Sequence, residues 1–444
     1  MKRSNLIPAA VILSIFILAG FLLGLTTTAP VASATPSAHV RVVHAVSDAP
    51  SVDIRVDGAT VPELAGIAFK DVSEYTPVAA GTFTVTLIVP SISLHPLLTT
   101  TLTLAEGDDA TVIALGTVAQ GDDYPLSLLT APDNNEIPPL GMARARFFHL
   151  VPGAPAVDIA IQGGQVLFRG VSYGQATPYV EIAAVTYELE LRLAGTSFVL
   201  AQIPGITAAP NTIYSFFAVG TITAPDIVQS VDQQYVRLRT FHGVSDGPPV
   251  DIWLDDSRAF ATVAYKELTD YVAVMSGTYT LGLTLPNLSQ PILAETLVLT
   301  GGMDFTVAAA GTLTVTDAHP VTLIAYLDDN RPPTDGETHL RFIHLVPDAP
   351  PLNVSVTGVV TPLFSGVSYR QATGYAALNA GAYDLEAYEV GGTAPIASSG
   401  EQILEDGLIY TAFGVGLAAG PAPIEIVLGP TDFTVYLPLV LRGP

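Results

Sequence analysis

Short runs of alternating apolar and polar residues dominate this chain. In GTFTVTLIV (Gly81 to Val89), Phe83, Val85 and Leu87 fall on one face and Thr82, Thr84 and Thr86 on the other. That period of two marks a half-buried antiparallel strand. GTYTLGLTL from Gly277 repeats the pattern, and in both the leading Gly reads as a turn feeding the strand. A second kind of run behaves differently. In Arg41 to Val46, alternation groups His44 with Val42 and Val46, and Arg41 with Val43 and Ala45, so both faces are largely apolar. Such a strand belongs inside a packed sandwich. Beyond the N-terminal apolar run there is no long amphipathic segment of helical period. β-branched residues, Gly and Pro punctuate the chain at strand length, which predicts β-sandwiches of about 7 strands in roughly 100 residues.

The doubly apolar run is the head of a repeat. RVVHAVSDAPSVDIRVDG from Arg41 returns as RFFHLVPGAPAVDIAIQG from Arg146, RTFHGVSDGPPVDIWLDD from Arg239 and RFIHLVPDAPPLNVSVTG from Arg341. Its landmarks are His44, His149, His242 and His344, then Asp53, Asp158, Asp251 and Asn353. The Asp-Ala-Pro between them reads as a turn, and the apolar–Asp–apolar triplet as the start of a second strand with Asp outward. A later Tyr, with Gly six residues on and an aromatic two beyond, recurs as Tyr75/Gly81/Phe83, Tyr271/Gly277/Tyr279 and Tyr375/Gly381/Tyr383; in the second copy Tyr179 and Tyr187 remain and Val185 replaces the Gly.

A period near one hundred residues is domain-sized, well above the roughly 20–50 of solenoid repeats. Copies one and three share one set of local motifs and copies two and four another: LFRGVSYGQATPY from Leu167 matches LFSGVSYRQATGY from Leu363. The expected fold is therefore all-β, four tandem immunoglobulin-like or prealbumin-like β-sandwich modules in an A-B-A-B arrangement after an N-terminal signal segment. The boundaries read as 1–34 signal peptide or membrane anchor, 39–130 module A1, 141–228 module B1, 236–328 module A2, 338–430 module B2 and 431–444 C-terminal tail. Polar, Pro-rich stretches at Ala131–Leu140 and Asp328–Glu337 read as linkers, with a shorter join near Gln229–Tyr235. The modules are expected to be strung like beads.

Lys2 and Arg3 precede the apolar run Leu6 to Leu25, and Ala32-Ser33-Ala34 follows as a cleavage site. These are the parts of a secretory signal, although about twenty apolar residues also span a bilayer. Either outcome puts the rest of the chain outside the cytoplasmic membrane, at the cell surface or free, and a membrane contact is expected only through this segment if it is uncleaved. Composition adds limits. Apolar residues make up 49% of the 444, charged ones 13%, the net charge is -24, and only Lys2, Lys70 and Lys266 are lysines. The acidic surface speaks against nucleic-acid binding. Cysteine is absent, which removes disulfides, thiolate nucleophiles and Cys-based zinc sites; core burial alone must hold each module.

The repeat pattern R-h-h-H-h-x-x-D-A-P-x-h-D-h, the later Y-x5-G-x-[FY] and the Asp328-Asp329-Asn330 step before the next copy resemble the domain-of-unknown-function family numbered 4397. The resemblance covers nearly all of residues 39–430. It implies extracellular β-sandwich modules of the kind found in secreted bacterial proteins, and it implies no particular activity. Gly153 in place of Asp, Gly247 in place of Ala, Asn353 in place of Asp and Val185 in place of Gly depart from the pattern. The C-terminal VYLPLVLRGP from Val435 reads either as a last strand or as a sorting or surface-association tag.

Candidate chemistry is weighed against structure. His44 and Asp48 have the residue types of a metal pair or proton relay, but metal sites usually take about three or more protein ligands, and fourfold recurrence points to a structural part. Asp48, Asp246 and Asp348, with Asp53, Asp158 and Asp251, and the acidic points Gly107-Asp108-Asp109, Gly121-Asp122-Asp123 and Asp328-Asp329-Asn330 offer oxygen ligands for calcium; no calcium-loop motif is present, and turn bonding accounts for them. Nucleophile and phosphate-loop motifs are missing. No catalytic residue, metal ligand or cofactor is assigned, and no enzyme activity is expected. The tyrosines at 75, 179, 271 and 375 read as packed residues with satisfied hydroxyls, or else as sugar platforms. Trp253, the single Trp, is either a contact residue or a cover for its neighbour. The expected role is a secreted or surface structural and interaction protein, a spacer or adhesion stalk for an unknown extracellular partner (surface polymer or protein). A polysaccharide-binding module and a calcium-dependent surface assembly are the alternatives.

Overall fold

The computed structural model describes residues 37–119, 123–286, 288, 290–313 and 319–431. The signal or anchor segment and the tail beyond Thr431 lie outside the described residues, as do Gly121 and Asp122. The first module has eight strands: β1 (Ser37–His44), β2 (Asp53–Val56), β3 (Ala59–Thr60), β4 (Thr76–Ala79), β5 (Gly81–Val89), β6 (Ser93–Leu104), β7 (Asp109–Leu115) and β8 (Ser127–Asp133). They form two sheets, ordered β4-β1-β7-β8 and β3-β2-β5-β6. β1 runs parallel to β7 and antiparallel to β4. An immunoglobulin sandwich sets ABED against CFG. Here the first strand sits between the fourth and seventh, so the module is the prealbumin-like alternative, with one strand more than the seven expected.

The same plan recurs three times. The equivalents of β1 are Met142–His149, the second half of Ala224–His242, and Glu337–His344. Each pairs in parallel with the equivalent of β7: Thr212–Thr221, Asp304–Ala310 and Ile409–Val415. The inner faces of the two sheets make one core per module. In the first it is built on Val40, Val42, Ile54, Val85, Leu87 and Val112.

The outer face of the β1 sheet is buried as well. Val43, Ala45, Ile113 and Leu115 of module 1 pack against Phe148, Leu150, Phe217 and Val219 of module 2. Phe241, Ala308 and Ala310 of module 3 pack against Ile343, Leu345, Phe413 and Val415 of module 4. Modules therefore stand back to back in two pairs, which is why the opening run of each repeat is apolar on both faces. One face is for its own sandwich and the other for its neighbour.

The pairs are not joined as beads. The last strand of module 2 and the first strand of module 3 are one 19-residue strand, Ala224–His242. The expected join at Gln229–Tyr235 lies in its middle, and the 228 and 236 boundaries fall inside a single element. Its polar residues signal a change of neighbours rather than a break in the strand. The 130 boundary also moves, since β8 continues to Asp133. Beyond it, the expected linker is tied into the junction: Tyr235 donates its hydroxyl hydrogen to the Asn135 carbonyl (2.6 Å) and Arg237 donates to the Pro138 carbonyl. Asn211 accepts from Arg237 and donates to Asp304 (2.6 Å), which also accepts from Asn330 (2.8 Å). Burial pushes the Asp304 carboxyl up, with Arg237 opposing. Gly141 lies against this junction at φ +71°, where a Cβ would come 2.5 Å from the Asn330 carbonyl oxygen. Only glycine fits there.

Candidate functional site

Arg41 opens the first repeat from the middle of β1, with its side chain on the outer face and 1% exposed. Alternation forces it there, because Val40 and Val42 take the inner face. Its Nε donates to Thr111 Oγ1 on β7 (2.8 Å), and its Nη2 pairs with Asp232 of module 2 (2.7 Å). Arg146 mirrors it. Its Nε donates to Ser215 Oγ (2.8 Å) and its Nη2 pairs with Asp133 of module 1. Each guanidinium thus meets the carboxylate of the other module. Thr111 donates to Asp133 (2.7 Å) and Ser215 to Asp232 (2.6 Å). Burial alone would lower the Arg41 pKa; Asp232, then Tyr75 and Asp133, more than offset it and hold the group above its ordinary value.

The repeated tyrosines close this lattice. Tyr75 donates to Asp133, Tyr179 to Asp232 (2.7 Å) and Tyr271 to Asp328. Each ring also lies under an arginine, at 4.9 Å for Arg41 over Tyr75 and 4.6 Å for Arg146 over Tyr179 and for Arg239 over Tyr271, a cation–π contact worth more where water is excluded. Burial pushes all three phenols up. Tyr375 sits under Arg341 at 4.9 Å, but Thr431 stands where the other modules carry Asp, so the Tyr375 hydroxyl lacks the carboxylate acceptor the other three have.

The four histidines do not converge on each other. Each Nε2–H donates to a proline carbonyl six residues on: Pro50 (2.9 Å), Pro155 (3.0 Å), Pro248 (2.9 Å) and Pro350 (3.2 Å). Each Nδ1 accepts the backbone N–H two residues on, from Val46, Val151, Val244 and Val346. Both nitrogens are used in the neutral ring, which clamps the turn after the strand. Burial lowers all four pKa values.

The Asp of the triplet performs a different local task. Asp53, Asp158, Asp251 and Asn353 accept the backbone N–H of Gly66 (2.8 Å), Gly170 (2.6 Å), Thr262 (2.6 Å) and Gly366 (2.8 Å). Those four residues have φ of +69°, +60°, +54° and +63°. In the last three copies the acceptor lies where the strand register shifts, so it pins a bulge. Asn353 serves as well as Asp because only an acceptor oxygen is needed.

The turn aspartates hold the loop between the equivalents of β7 and β8. Asp48 accepts from Val118 and Ala119, Asp246 from Leu313, and Asp348 from Ala418 and Ala419. Gly153 needs no such oxygen, because in module 2 that loop is a tight hairpin at Ile222-Thr223. Among the described residues no group of three or more His, Cys, Asp or Glu is placed to hold a metal ion. Trp253 is half-buried and donates to Thr284 Oγ1 (3.0 Å).

Sequence reasoning missed the arginines and their carboxylates. The signal was present: an arginine in every copy, at one position of an apolar strand, in a chain with 17 Lys and Arg in all. Two of its three lysines also bridge paired modules, Lys70 to Asp226 (2.7 Å) and Lys266 to Glu425.

A family model described as "Domain of unknown function (DUF4397)" matches four stretches, residues 38–160, 146–237, 236–355 and 340–430. A search among curated proteins found no match. Among solved structures, the chain is similar to "The Bacillus anthracis TIE protein" at 9% identity, over 62% of this chain and 50% of that one, with a TM-score of 0.15. The match spans half of that structure's length, and at this score it carries no argument.

Proposed function

Because this chain belongs, four times over, to the DUF4397 family, we propose that it is a structural and interaction protein displayed beyond the cytoplasmic membrane. Its paired modules act as a spacer or adhesion stalk, without a catalytic role, toward a surface polymer or protein. One observation carries this reading: the polar residues that recur in the repeats are consumed inside the fold. The arginines, aspartates and tyrosines lock one module to the next, and the histidines clamp turns. A motif spent on joining modules is the motif of a building block. The 19-residue strand adds reach, since at 3.2–3.4 Å per residue it spans about 60 Å. The export reading rests on the N-terminal segment.

Protease treatment of intact cells expressing the chain, followed by fractionation, tests this. The expected result is cleavage of the modules without lysis. A chain protected until the cells are broken would overturn the proposal. The polysaccharide reading keeps Trp253, Tyr375 and the loops at the sandwich ends in its support, because the hydroxyls of Tyr75, Tyr179 and Tyr271 are engaged by carboxylates.

A further inference from the structure

Module 2 is open where modules 1 and 3 are covered. In modules 1 and 3 the loop between the equivalents of β7 and β8 lays aliphatic side chains over the end of the sandwich, Val118 and Leu126 in the first and Val321 in the third. In module 2 that loop is only the Ile222-Thr223 hairpin. A slot of about 400 Å³ is left between the two sheets, lined by Val151, Leu191, Leu200, Ile203, Ile222 and Ile227. Ligand clefts fall in the same size range. One rim is Val199–Thr207, the outer strand of its sheet among the described residues, and an outer strand presents a backbone edge for pairing. Phe198, Leu200 and Ile222 stand exposed around it at 65%, 42% and 58%.

The siblings show what the slot takes: aliphatic side chains on a stretch of peptide. The chain carries such a segment beyond its described fold, Tyr436-Leu437-Pro438-Leu439-Val440-Leu441. Its own copy cannot deliver it. Thr431 is bonded to Arg239 (3.1 Å), while the slot lies at Asp226 on the same long strand, about 43 Å away at 3.2–3.4 Å per residue. From Thr431, Leu441 reaches at most about 36 Å and Leu437 about 22 Å, fully extended. We propose that the slot of module 2 binds the Tyr436–Leu441 segment of a second copy of this chain, added along the Val199–Thr207 edge. Pro438 lacks an N–H and suits an added outer strand rather than a central one. The contact is head to tail, so it builds closed rings or open chains of copies. It stands whether or not the export reading does.

Sedimentation velocity of the full chain over a concentration series tests it. Wild type is expected to self-associate as concentration rises. Leu437→Asp with Leu439→Asp, outside the described fold, is expected to weaken association about tenfold or more, as loss of a buried leucine anchor does. Leu200→Glu with Ile222→Glu, both on exposed rim positions, is expected to do the same with an unchanged melting temperature. A synthetic peptide of residues 432–444 is expected to dissociate the assemblies. Absence of self-association overturns the proposal, and so does association unchanged in either double variant. Competition by an alkyl detergent in place of the peptide, with the tail variant behaving as wild type, would also overturn it and give the slot to a free aliphatic ligand.

Discussion

The two module pairs share a plan and differ in one charge. Between modules 1 and 2, Arg41 and Arg146 face Asp133 and Asp232, each arginine held by the carboxylate across the interface. Between modules 3 and 4, Arg239 and Arg341 share Asp328, and Thr431 takes the fourth place. Arg239 lies 3.7 Å from Asp328 through Nε and otherwise bonds the hydroxyls of Thr306, Thr431 and Thr411. Burial would push the Asp328 carboxyl up; Arg341 and Arg239 more than offset it and hold it below the usual carboxylate range. The comparison teaches that the guanidinium is the fixed part of this interface and the carboxylate the adjustable one. Five donors in a rigid fork can be satisfied by hydroxyls and carbonyls. The second pair also stacks Phe241 on Phe413 at 3.7 Å across the interface, an apolar contact of the kind that replaces buried ion pairs without loss.

The difference is broken most sharply at its one shared anion. Asp328→Asn leaves two buried guanidinium groups with no carboxylate, and one acceptor oxygen for the donors Arg341, Tyr271 and Thr306. Removing one member of a buried ion pair costs ~3–5 kcal/mol, and this substitution is expected at the top of that range. Asp133→Asn leaves Asp232 in place beside both arginines, so its cost is expected at the bottom. Denaturant titration of both variants measures the gap. Equal losses would show that the second pair is not short of a carboxylate.

Between pH 7 and pH 5, acid is expected to weaken both pairs alike, through the histidine clamps rather than the charge lattice. Burial holds all four imidazoles below their ordinary pKa. The unfolded chain therefore binds more protons than the folded one as pH drops below about 6.5. The clamp contribution is complete above that value and is lost as pH falls toward the lowered folded values. The slope is at most ~1.4 kcal/mol per pH unit for each histidine. Melting temperatures at pH 7 and pH 5 are expected to differ less in His44→Gln than in the wild type. An identical difference would mean that His44 does not titrate with unfolding.

Much of this was legible in the sequence, and the reasons are physical. Strand alternation follows side-chain geometry within a few residues, so GTFTVTLIV declared itself a strand with one wet face. The repeat placed His44 and Asp53 in the same local frame four times. What stayed hidden lies between modules. Arg41 and Asp232 meet across 191 positions, and no local pattern encodes that distance. Asp133 looked like linker because Asn134, Asn135 and Glu136 follow it, yet it ends β8 with its side chain fully buried. Polar residues at a strand end read the same whether water or a neighbouring arginine satisfies them. The doubly apolar face of β1 was the one clue that something covered it.

Supplying the missing anion sharpens the comparison from the other side. Thr431→Asp places a carboxylate opposite Arg239, in the position Asp232 holds opposite Arg41. A hydrogen bond to a charged group contributes ~1.5–3 kcal/mol, and desolvation of the new carboxylate takes back part of it, so the net gain is expected near the low end, about 1 kcal/mol. A raised melting temperature checks it. A fall would mean that the hydroxyl cage around Arg239 is already complete.

The smallest effect separates the two A modules at the bulge. In module 1 the residue held by Asp53 is Gly66, at φ +69°. In module 3 the residue held by Asp251 is Thr262, at φ +54°. A β-branched side chain in the left-handed region is strained, at a cost of order 1–3 kcal/mol, whereas glycine adopts it freely and loses more backbone entropy on folding. The two terms oppose each other, and strain is the larger. Thr262→Gly is therefore expected to stabilise module 3 by somewhat under 1 kcal/mol, read as a small rise in denaturation midpoint at unchanged slope. Gly66→Thr in module 1 is expected to lower it by a similar amount, since a Cβ there meets open space and only the backbone objects. If Thr262→Gly destabilises, the Thr262 side chain holds something in module 3 that module 1 does without, and the A modules differ in more than their partners' carboxylates.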